Sequence, residues 1–167
     1  AALDASTLEP QALDKGVLAG VVPGLFGGWI ALLDRFGTMS LETVLAPALG
    51  YAEEGHPLEP TVADAIRYEL DTLQRFETSR RAFLVDGAAP EAQRTVTMPD
   101  LARTFRKVVD AEAQALEHGA SRSEALDAAF QRFYAGDIAR EMARFYREQG
   151  GLFTLDEDLA VVLGPSL

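Results

Sequence analysis

Few side chains in this sequence could do chemistry, and they lie far apart along the chain. The two histidines are His56, which precedes Pro57 in a predicted loop, and His118, near the predicted end of a helix. A metal site needs His, Asp or Glu side chains that converge at ligand spacing, and two distant histidines do not provide that. The chain contains no cysteine, which excludes thiolate ligands, thiol nucleophiles and disulfides. The sequence therefore predicts no metal and no cofactor.

Three further patterns resemble functional motifs but have simpler structural explanations. The acidic runs Glu53-Glu54 and Asp156-Glu157-Asp158 are adjacent in sequence, so their carboxylates spread around a helix instead of meeting across a cleft. A phosphate loop requires a preceding strand, which Gly27-Gly28 lacks. Close packing against the neighbours of Trp29 is the preferred interpretation of this pair. Most Ser and Thr residues stand at predicted helix caps. We therefore expect no catalytic, substrate-binding or metal-ligating residue in this chain.

Composition and charge limit the class of protein. The 167 residues are 48% hydrophobic and 25% charged, which fits one globular domain with a real core. The 15 basic and 26 acidic residues give a net charge of -11, which repels nucleic-acid phosphates and anionic membrane surfaces. No apolar run approaches the roughly 20 residues that span a bilayer. We therefore expect neither nucleic acid nor a membrane as a partner. Because Ala1–Asp4 lacks a charged signal-peptide head, we expect any targeting segment to lie outside this chain.

Helical periodicity dominates the first half of the chain. The first predicted helix ends at Gly37, and its buried face is predicted to consist of Leu25, Trp29, Leu32, Leu33 and Phe36. A second helix runs from the candidate N-cap Ser40 to Gly55, with Pro47 expected to shorten or kink it. A third is predicted to open with a capping box at Thr61–Asp64, and its stripe is Val62, Ile66, Leu70 and Leu73.

A change of period between residues 79 and 97 predicts a small hairpin or loop. Residues 86–90 form its turn, between extended pieces at 82–85 and 95–97. Helix resumes at Pro99, capped by Thr97, and runs to Gly119. Two more helices follow, one opened by a capping box at Ser121–Glu124 and one ended by Gly150-Gly151, before a short turn capped at Thr154–Glu157. The sequence predicts a mainly α chain of about seven helices that forms a single partial domain over residues 1–167.

Ordered motifs between about Gly16 and Ala160 resemble the large subunit of the γ-glutamyltranspeptidase family. Each motif is weak alone, and their order and spacing together are specific. The matching segments are Gly20–Gly24, Gly28-Trp29, Arg35–Met39, Leu45–Ala48, Ala52–Pro57, Phe83-Leu84 with Asp86-Gly87, Met98–Thr104, Phe133–Ala139, Gly150–Thr154 and Asp158-Leu159.

This resemblance implies an N-terminal-nucleophile hydrolase, made as one precursor that cuts itself into large and small subunits folded together as an αββα sandwich. The chain would lie in its outer helical layers, with the small subunit as partner and a γ-glutamyl compound such as glutathione as substrate. An N-terminal Thr of the small subunit would form the acyl-enzyme, with its α-amine as general base and backbone amides of a glycine pair at the oxyanion. The large subunit would supply a carboxylate-binding Arg upstream of Gly20–Gly24. We assign neither role to a residue of this chain.

Departures from the family pattern leave the substrate open. Ala111–Ala129 forms a longer insertion than the usual link, the segment Thr154–Leu159 is one residue longer, and Val161–Leu167 does not match the expected continuation into a strand. Relatives of this kind act on glutathione, on cephalosporin side chains or on poly-γ-glutamate. The family is commonly exported, so we expect a soluble protein of the periplasm or medium. The alternative is a non-catalytic helical binding or scaffold domain in which the motifs only hold the fold.

Overall fold

The computed structural model describes residues 16–155. After a short 3-10 turn at Val17–Ala19, the chain is built mostly of helices. The prediction of a mainly α chain is thereby confirmed. The elements are, in order, α1 Leu25–Phe36, α2 Leu41–Glu54, β1 His56–Pro57, α3 Pro60–Tyr68, α4 Leu70–Arg75, α5 Glu77–Phe83, β2 Thr95–Val96, α6 Pro99–Glu117, α7 Arg122–Tyr134 and α8 Asp137–Glu148.

The described residues divide into two compact units, one formed by residues 42–106 and the other by residues 16–41 with 107–155. In the second unit, α1 and α8 both pack against α7. The rings of Phe26 and Phe133 stack with centroids 4.5 Å apart, and Tyr134 lies 4.8 Å from Phe133. The fully buried Val108, Leu126 and Tyr134 side chains mark the centre of this packing.

The predicted buried face of α1 is wrong. The helix buries Phe26 and Ile30, while Leu25, Trp29, Leu32 and Phe36 are exposed. Both faces of α1 are apolar, and periodicity alone cannot say which one meets a partner. The choice is made by the aromatic side chains of α7, which stack on Phe26.

The unit of residues 42–106 has its own small core. Leu58, Ala63 and Ile66 are buried together, and the partly buried side chains around them are Leu73, Leu84, Ala89 and Val96. The helix predicted to open at Thr61 begins instead at Pro60, and it is capped by Glu59, whose carboxylate accepts a hydrogen bond from the Thr61 amide at 3.2 Å. Pro at the first helical position favours this start. The predicted stripe is divided between α3 and α4 by a break at Glu69.

The predicted hairpin is only partly correct. Residues 77–83 are helical, so the extended piece predicted at 82–85 is wrong for its first half. A tight turn does follow, with a bridge between Val85 and Ala88. The extended piece near Thr95 is confirmed, but it pairs antiparallel with His56–Pro57, so His56 lies in a two-residue strand where a loop was predicted. This pairing joins Val96 with His56, 40 positions apart, and Thr95 with Pro57, 38 positions apart, which local patterns cannot reveal.

The caps and ends of helices were predicted more accurately than their packing. Ser121 and Glu124 form the predicted capping box of α7, with both reciprocal hydrogen bonds present. Gly55 and Gly119 follow their helices with φ of 90° and 88°, a conformation that favours glycine. The predicted shortening at Pro47 is wrong, because α2 continues through it to Glu54. The turn predicted at Thr154–Glu157 extends beyond the described residues.

Candidate functional site

His118, His56 and Glu53 each make an ordinary structural contact, and the acidic run at 156–158 lies outside the described residues. His118 is exposed, and its Nδ1 lies 2.6 Å from the Gln114 carbonyl oxygen. The ring of His56 packs edge-on against Tyr51 at a centroid distance of 6.0 Å. Glu53 accepts two hydrogen bonds from the Arg106 guanidinium, at 2.5 and 2.6 Å, which lower the pKa of this carboxyl. Among residues 16–155 no group of three or more acidic or histidine side chains could hold a metal ion.

The hydroxyl of Tyr134 joins α7 to the backbone at the start of α1. Its hydroxyl donates a hydrogen bond to the Pro23 carbonyl at 2.6 Å and accepts one from the Gly27 amide at 2.9 Å. Gly24, the N-cap of α1, has no side chain that could satisfy an amide of the first turn. Tyr134 therefore performs this capping from more than 100 positions along the chain. Burial raises the pKa of its phenol, and the hydrogen bond from Gly27 opposes that rise.

Close approach explains Gly27 as well. A Cβ there would lie 3.1 Å from a Phe130 ring carbon and 3.2 Å from the Tyr134 oxygen, whereas a Cβ at Gly28 would meet nothing within 4 Å. The expected close packing of the glycine pair is therefore present at Gly27 and absent at Gly28. The small Gly27 lets an aromatic hydroxyl reach the backbone of α1.

Tyr146 fixes the segment before α1 in a similar way. A Cβ added at Gly20 would overlap the Tyr146 ring, and one at Gly151 would lie 2.7 Å from both Tyr146 and Val17. Phe153 also packs against Tyr146, with ring centroids 5.0 Å apart. The two glycine-bearing motifs at opposite ends of the described chain thus meet around one tyrosine.

Asp137 begins α8 and is held by two cations. Its carboxylate lies 2.7 Å from the Lys107 ammonium and 2.5 Å from the Arg132 guanidinium. The contact with Lys107 is the largest cause that lowers the pKa of Asp137, burial opposes it, and Arg132 adds to it. An acid at this position is also favoured by the dipole of α8. This paired carboxylate stays ionised at neutral pH and does not suit proton transfer.

Open cavities in the described residues offer no catalytic arrangement either. One, of about 510 Å³, is lined mainly by small side chains of α6 and α7 together with His118 and Arg132. Another, of about 540 Å³, lies in the unit of residues 42–106 and has Arg81, Arg103 and Asp100 on its wall. Arg103 pairs with Asp100. The one carboxylate on these two cavity walls, Asp100, is therefore held by Arg103.

Sequence reasoning missed Tyr134 as an organising residue. The capping box at Ser121–Glu124 predicts its helix correctly, but nothing in the local pattern marks Tyr134 as a buried side chain. The available signal was its place between Phe133 and Gly136 in a motif that resembled a family segment. A buried tyrosine usually needs a partner for its hydroxyl, and that partner could not be identified from local sequence.

Comparisons with known proteins identify a family. The sequence profile of the family described as Gamma-glutamyltranspeptidase matches residues 1–161. A glutathione hydrolase proenzyme from Bacillus subtilis (strain 168) is 30% identical over 149 residues, which is 89% of this chain and 22% of the relative. An acylase ACY 1 proenzyme from Pseudomonas sp. (strain SE83) is 33% identical over 138 residues, which is 82% of this chain and 22% of the relative.

A solved structure shows the same fold. The gamma-glutamyltranspeptidase of Helicobacter pylori superposes with a TM-score of 0.78 at 24% identity, over 95% of this chain and 41% of that one. The expected fold class, the helical part of an N-terminal-nucleophile hydrolase sandwich, is thereby confirmed. The chain spans 22% of the length of the curated relatives named above. With the family profile matched over nearly its whole length, the chain belongs to the gamma-glutamyltranspeptidase family.

Proposed function

We propose that this chain is part of the large subunit of a γ-glutamyltransferase-like or hydrolase-like enzyme. The observation that carries the proposal is the family match over residues 1–161. It is supported by the two curated relatives, which are described as proenzymes of a glutathione hydrolase and an acylase. In this proposal the precursor is cut into two subunits, and the small subunit is the partner of this chain.

The chemistry would take place on residues outside this chain. The N-terminal Thr of the small subunit adds its hydroxyl oxygen to the amide carbonyl of the substrate while its own α-amine takes the proton. Collapse of the tetrahedral intermediate breaks the C–N bond, and the protonated amine leaves. Water or an amino acid then attacks the acyl ester, releases the acid or a new amide, and regenerates the Thr hydroxyl.

The role proposed for this chain is to hold the frame around that chemistry. Tyr134 and Asp137 use their polar contacts to join helices and the backbone. An aromatic phenol held by two backbone groups, and a carboxylate held by two cations, are suited to positioning and poorly suited to proton transfer. The chain alone would therefore be inactive.

A small γ-glutamyl compound such as glutathione is the proposed acyl donor. The similarity to an acylase supports a second candidate donor, an acyl amide other than a γ-glutamyl amide. The protein is proposed to act in the periplasm or outside the cell. Among residues 16–155 no helix is both long and apolar enough to cross a bilayer.

The experiment is an intact-mass and N-terminal analysis of the purified full-length protein, paired with release of nitroaniline from γ-glutamyl-p-nitroanilide. Two fragments, one beginning with Thr, together with released nitroaniline are expected. Replacement of that Thr by Ala should abolish release, and Ser at the same position should retain part of it. A single uncut chain without release contradicts the proposal and favours the scaffold alternative, whereas cleavage without release points to another amide donor.

A further inference from the structure

The corner between α1 and α2, residues 37–40, is held by a helical hairpin from much farther along the chain. The hairpin consists of the end of α6, the turn after it and the start of α7, and it falls within the predicted insertion Ala111–Ala129. Two of its side chains, Glu112 and Arg122, bond to the backbone on the two sides of the corner. All of these residues lie in the same compact unit.

Glu112 binds the start of α2. Both of its carboxylate oxygens accept from the Leu41 amide, at 3.0 and 2.9 Å. Leu41 is the first residue of α2, and the first amides of a helix have no carbonyl partner within it. Within residues 16–155 Glu112 is the one charged residue that is buried, and a buried charge is costly unless it is hydrogen-bonded. The contact with the helix start therefore accounts for a carboxylate in this buried position.

Arg122 binds the end of α1 and the corner itself. Its guanidinium donates to the carbonyl oxygens of Leu33 at 2.8 Å, Met39 at 3.1 Å and Asp34 at 3.4 Å. Leu33 and Asp34 are among the last four residues of α1, whose carbonyls lack amide partners within the helix and favour a cation. The neighbouring Ser123 hydroxyl donates to the Asp34 carboxylate at 3.1 Å. A guanidinium, with several donors in one plane, suits such a group of carbonyls.

The hairpin that presents these two side chains is itself firmly built. Its turn is closed by a hydrogen bond from the Gly119 amide to the Leu116 carbonyl at 3.0 Å, and a capping box opens α7 directly afterwards. Three residues in the first half of α7 are fully buried, namely Ala125, Leu126 and Ala129. The carboxylate and the guanidinium therefore reach the corner as parts of one packed piece.

We propose that this hairpin is a latch, a conformational device that makes the end of α1 and the start of α2 open and close together. One piece supplies an anion to the amide end of one helix and a cation to the carbonyl end of the other. The two helix ends have opposite partial charges, so displacement of the hairpin leaves both without their charged partner. The inference goes beyond the proposed function and does not depend on it.

The test is hydrogen–deuterium exchange of the purified full-length protein, read at single amides by electron-transfer fragmentation. The Gly37 amide, bonded to the Leu33 carbonyl at 3.0 Å, reports on the end of α1, and the Leu41 amide reports on the start of α2. Arg122→Met removes the guanidinium and keeps an apolar stem, and Glu112→Leu removes the carboxylate at similar volume.

The decisive readout is the effect of each variant on the helix end that its own side chain does not bind. Loss of hydrogen bonds to a charged group is enough to raise local opening by about tenfold or more. We therefore expect Arg122→Met to speed exchange at Leu41 by at least about tenfold, and Glu112→Leu to do the same at Gly37. If Arg122→Met speeds exchange at Gly37 and leaves Leu41 within twofold of the unsubstituted protein, the two contacts are independent and the latch is refuted.

Matched controls separate this effect from a general loss of stability. Arg140→Met removes a similar contact of the same unit, the one at 3.3 Å to the Ala135 carbonyl, and Glu117→Leu changes an exposed acid of α6. Both controls should leave the two reporter amides within twofold. Should Glu112→Leu fail to fold, Arg122→Met decides alone, because its side chain is 35% exposed. Faster exchange in every helix of Arg122→Met would indicate global destabilisation and overturn the proposal.

Discussion

Replacement of Tyr134 by Phe isolates the hydroxyl that joins α7 to the start of α1. The side chain is 0% exposed, so the variant keeps the ring and its aromatic contacts and loses only the oxygen. Two hydrogen bonds disappear, the one to the Pro23 carbonyl and the one from the Gly27 amide. Gly27 is the third residue of α1, and its amide has no carbonyl within the helix to bond.

The expected cost follows from those two bonds. A neutral hydrogen bond contributes about 0.5–1.5 kcal/mol net, so losing both should destabilise the first turn of α1 by about 1–3 kcal/mol. Local opening of this turn would then rise by a factor of about 5 to 150. The oxygen is small, and the cavity left behind adds little to that cost.

Hydrogen–deuterium exchange of the full-length protein, read by mass spectrometry, measures this directly. The peptide covering the start of α1 should exchange faster in Tyr134→Phe by that factor, while peptides of α3 to α5 stay unchanged. Tyr68→Phe is the matched control, because Tyr68 is 88% exposed and its hydroxyl is free to bond water. Exchange in α1 within twofold of the unsubstituted protein would refute the assignment of Tyr134 as the cap of this helix.

Three further predictions test the remaining contacts. Glu112 is 3% exposed and accepts from the Leu41 amide at 2.9 and 3.0 Å; Glu112→Ala should lower the free energy of unfolding by about 1.5–3 kcal/mol, and the exposed Glu117→Ala by less than about 0.5, in denaturant titrations. Gly55→Ala forces alanine into φ near 90° and puts a Cβ 2.6 Å from Thr95 Cγ2, so the thermal unfolding midpoint should fall. Gly87→Ala has a similar φ of 80° but no atom within 4 Å of the added Cβ, so it should lower the midpoint less. Burial raises the pKa of Tyr134 above its unfolded value of about 10. The stability contributed by the neutral phenol is therefore complete below about pH 10 and is lost as pH rises through the folded pKa. The denaturant midpoint should decline less steeply above about pH 10 in Tyr134→Phe than in the unsubstituted protein.

Features of the fold set by neighbouring residues were predictable from the sequence. The capping box of α7 lies within Ser121–Glu124, and a hydroxyl followed three positions later by a carboxylate is enough to satisfy the amides of a helix start. Gly55 and Gly119 end their helices because each needs a positive φ. Glu59 was missed as a cap because Glu is not a preferred N-cap residue, although Pro60 marked the correct first position.

Features set by distant partners were not predictable in this way. The β1 strand finds its partner at Thr95–Val96, and the inner face of α1 finds Phe133 and Tyr134 more than 100 positions away. Leu25 and Phe26 are adjacent and both apolar, yet one is exposed and the other buried. The period of the sequence shows that a helix has an apolar face, and only the packed structure shows which of two apolar faces lies in the core.

Two glycines of the family motifs are explained by packing against one aromatic ring. A Cβ at Gly20 or Gly151 would overlap or crowd the Tyr146 ring, and a Cβ at Gly27 would lie just over 3 Å from Phe130 and from the Tyr134 oxygen. Those tyrosines, Tyr134 and Tyr146, join segments from opposite ends of the described chain. Such contacts tolerate few replacements, so motifs of this kind can identify a frame without identifying a reaction.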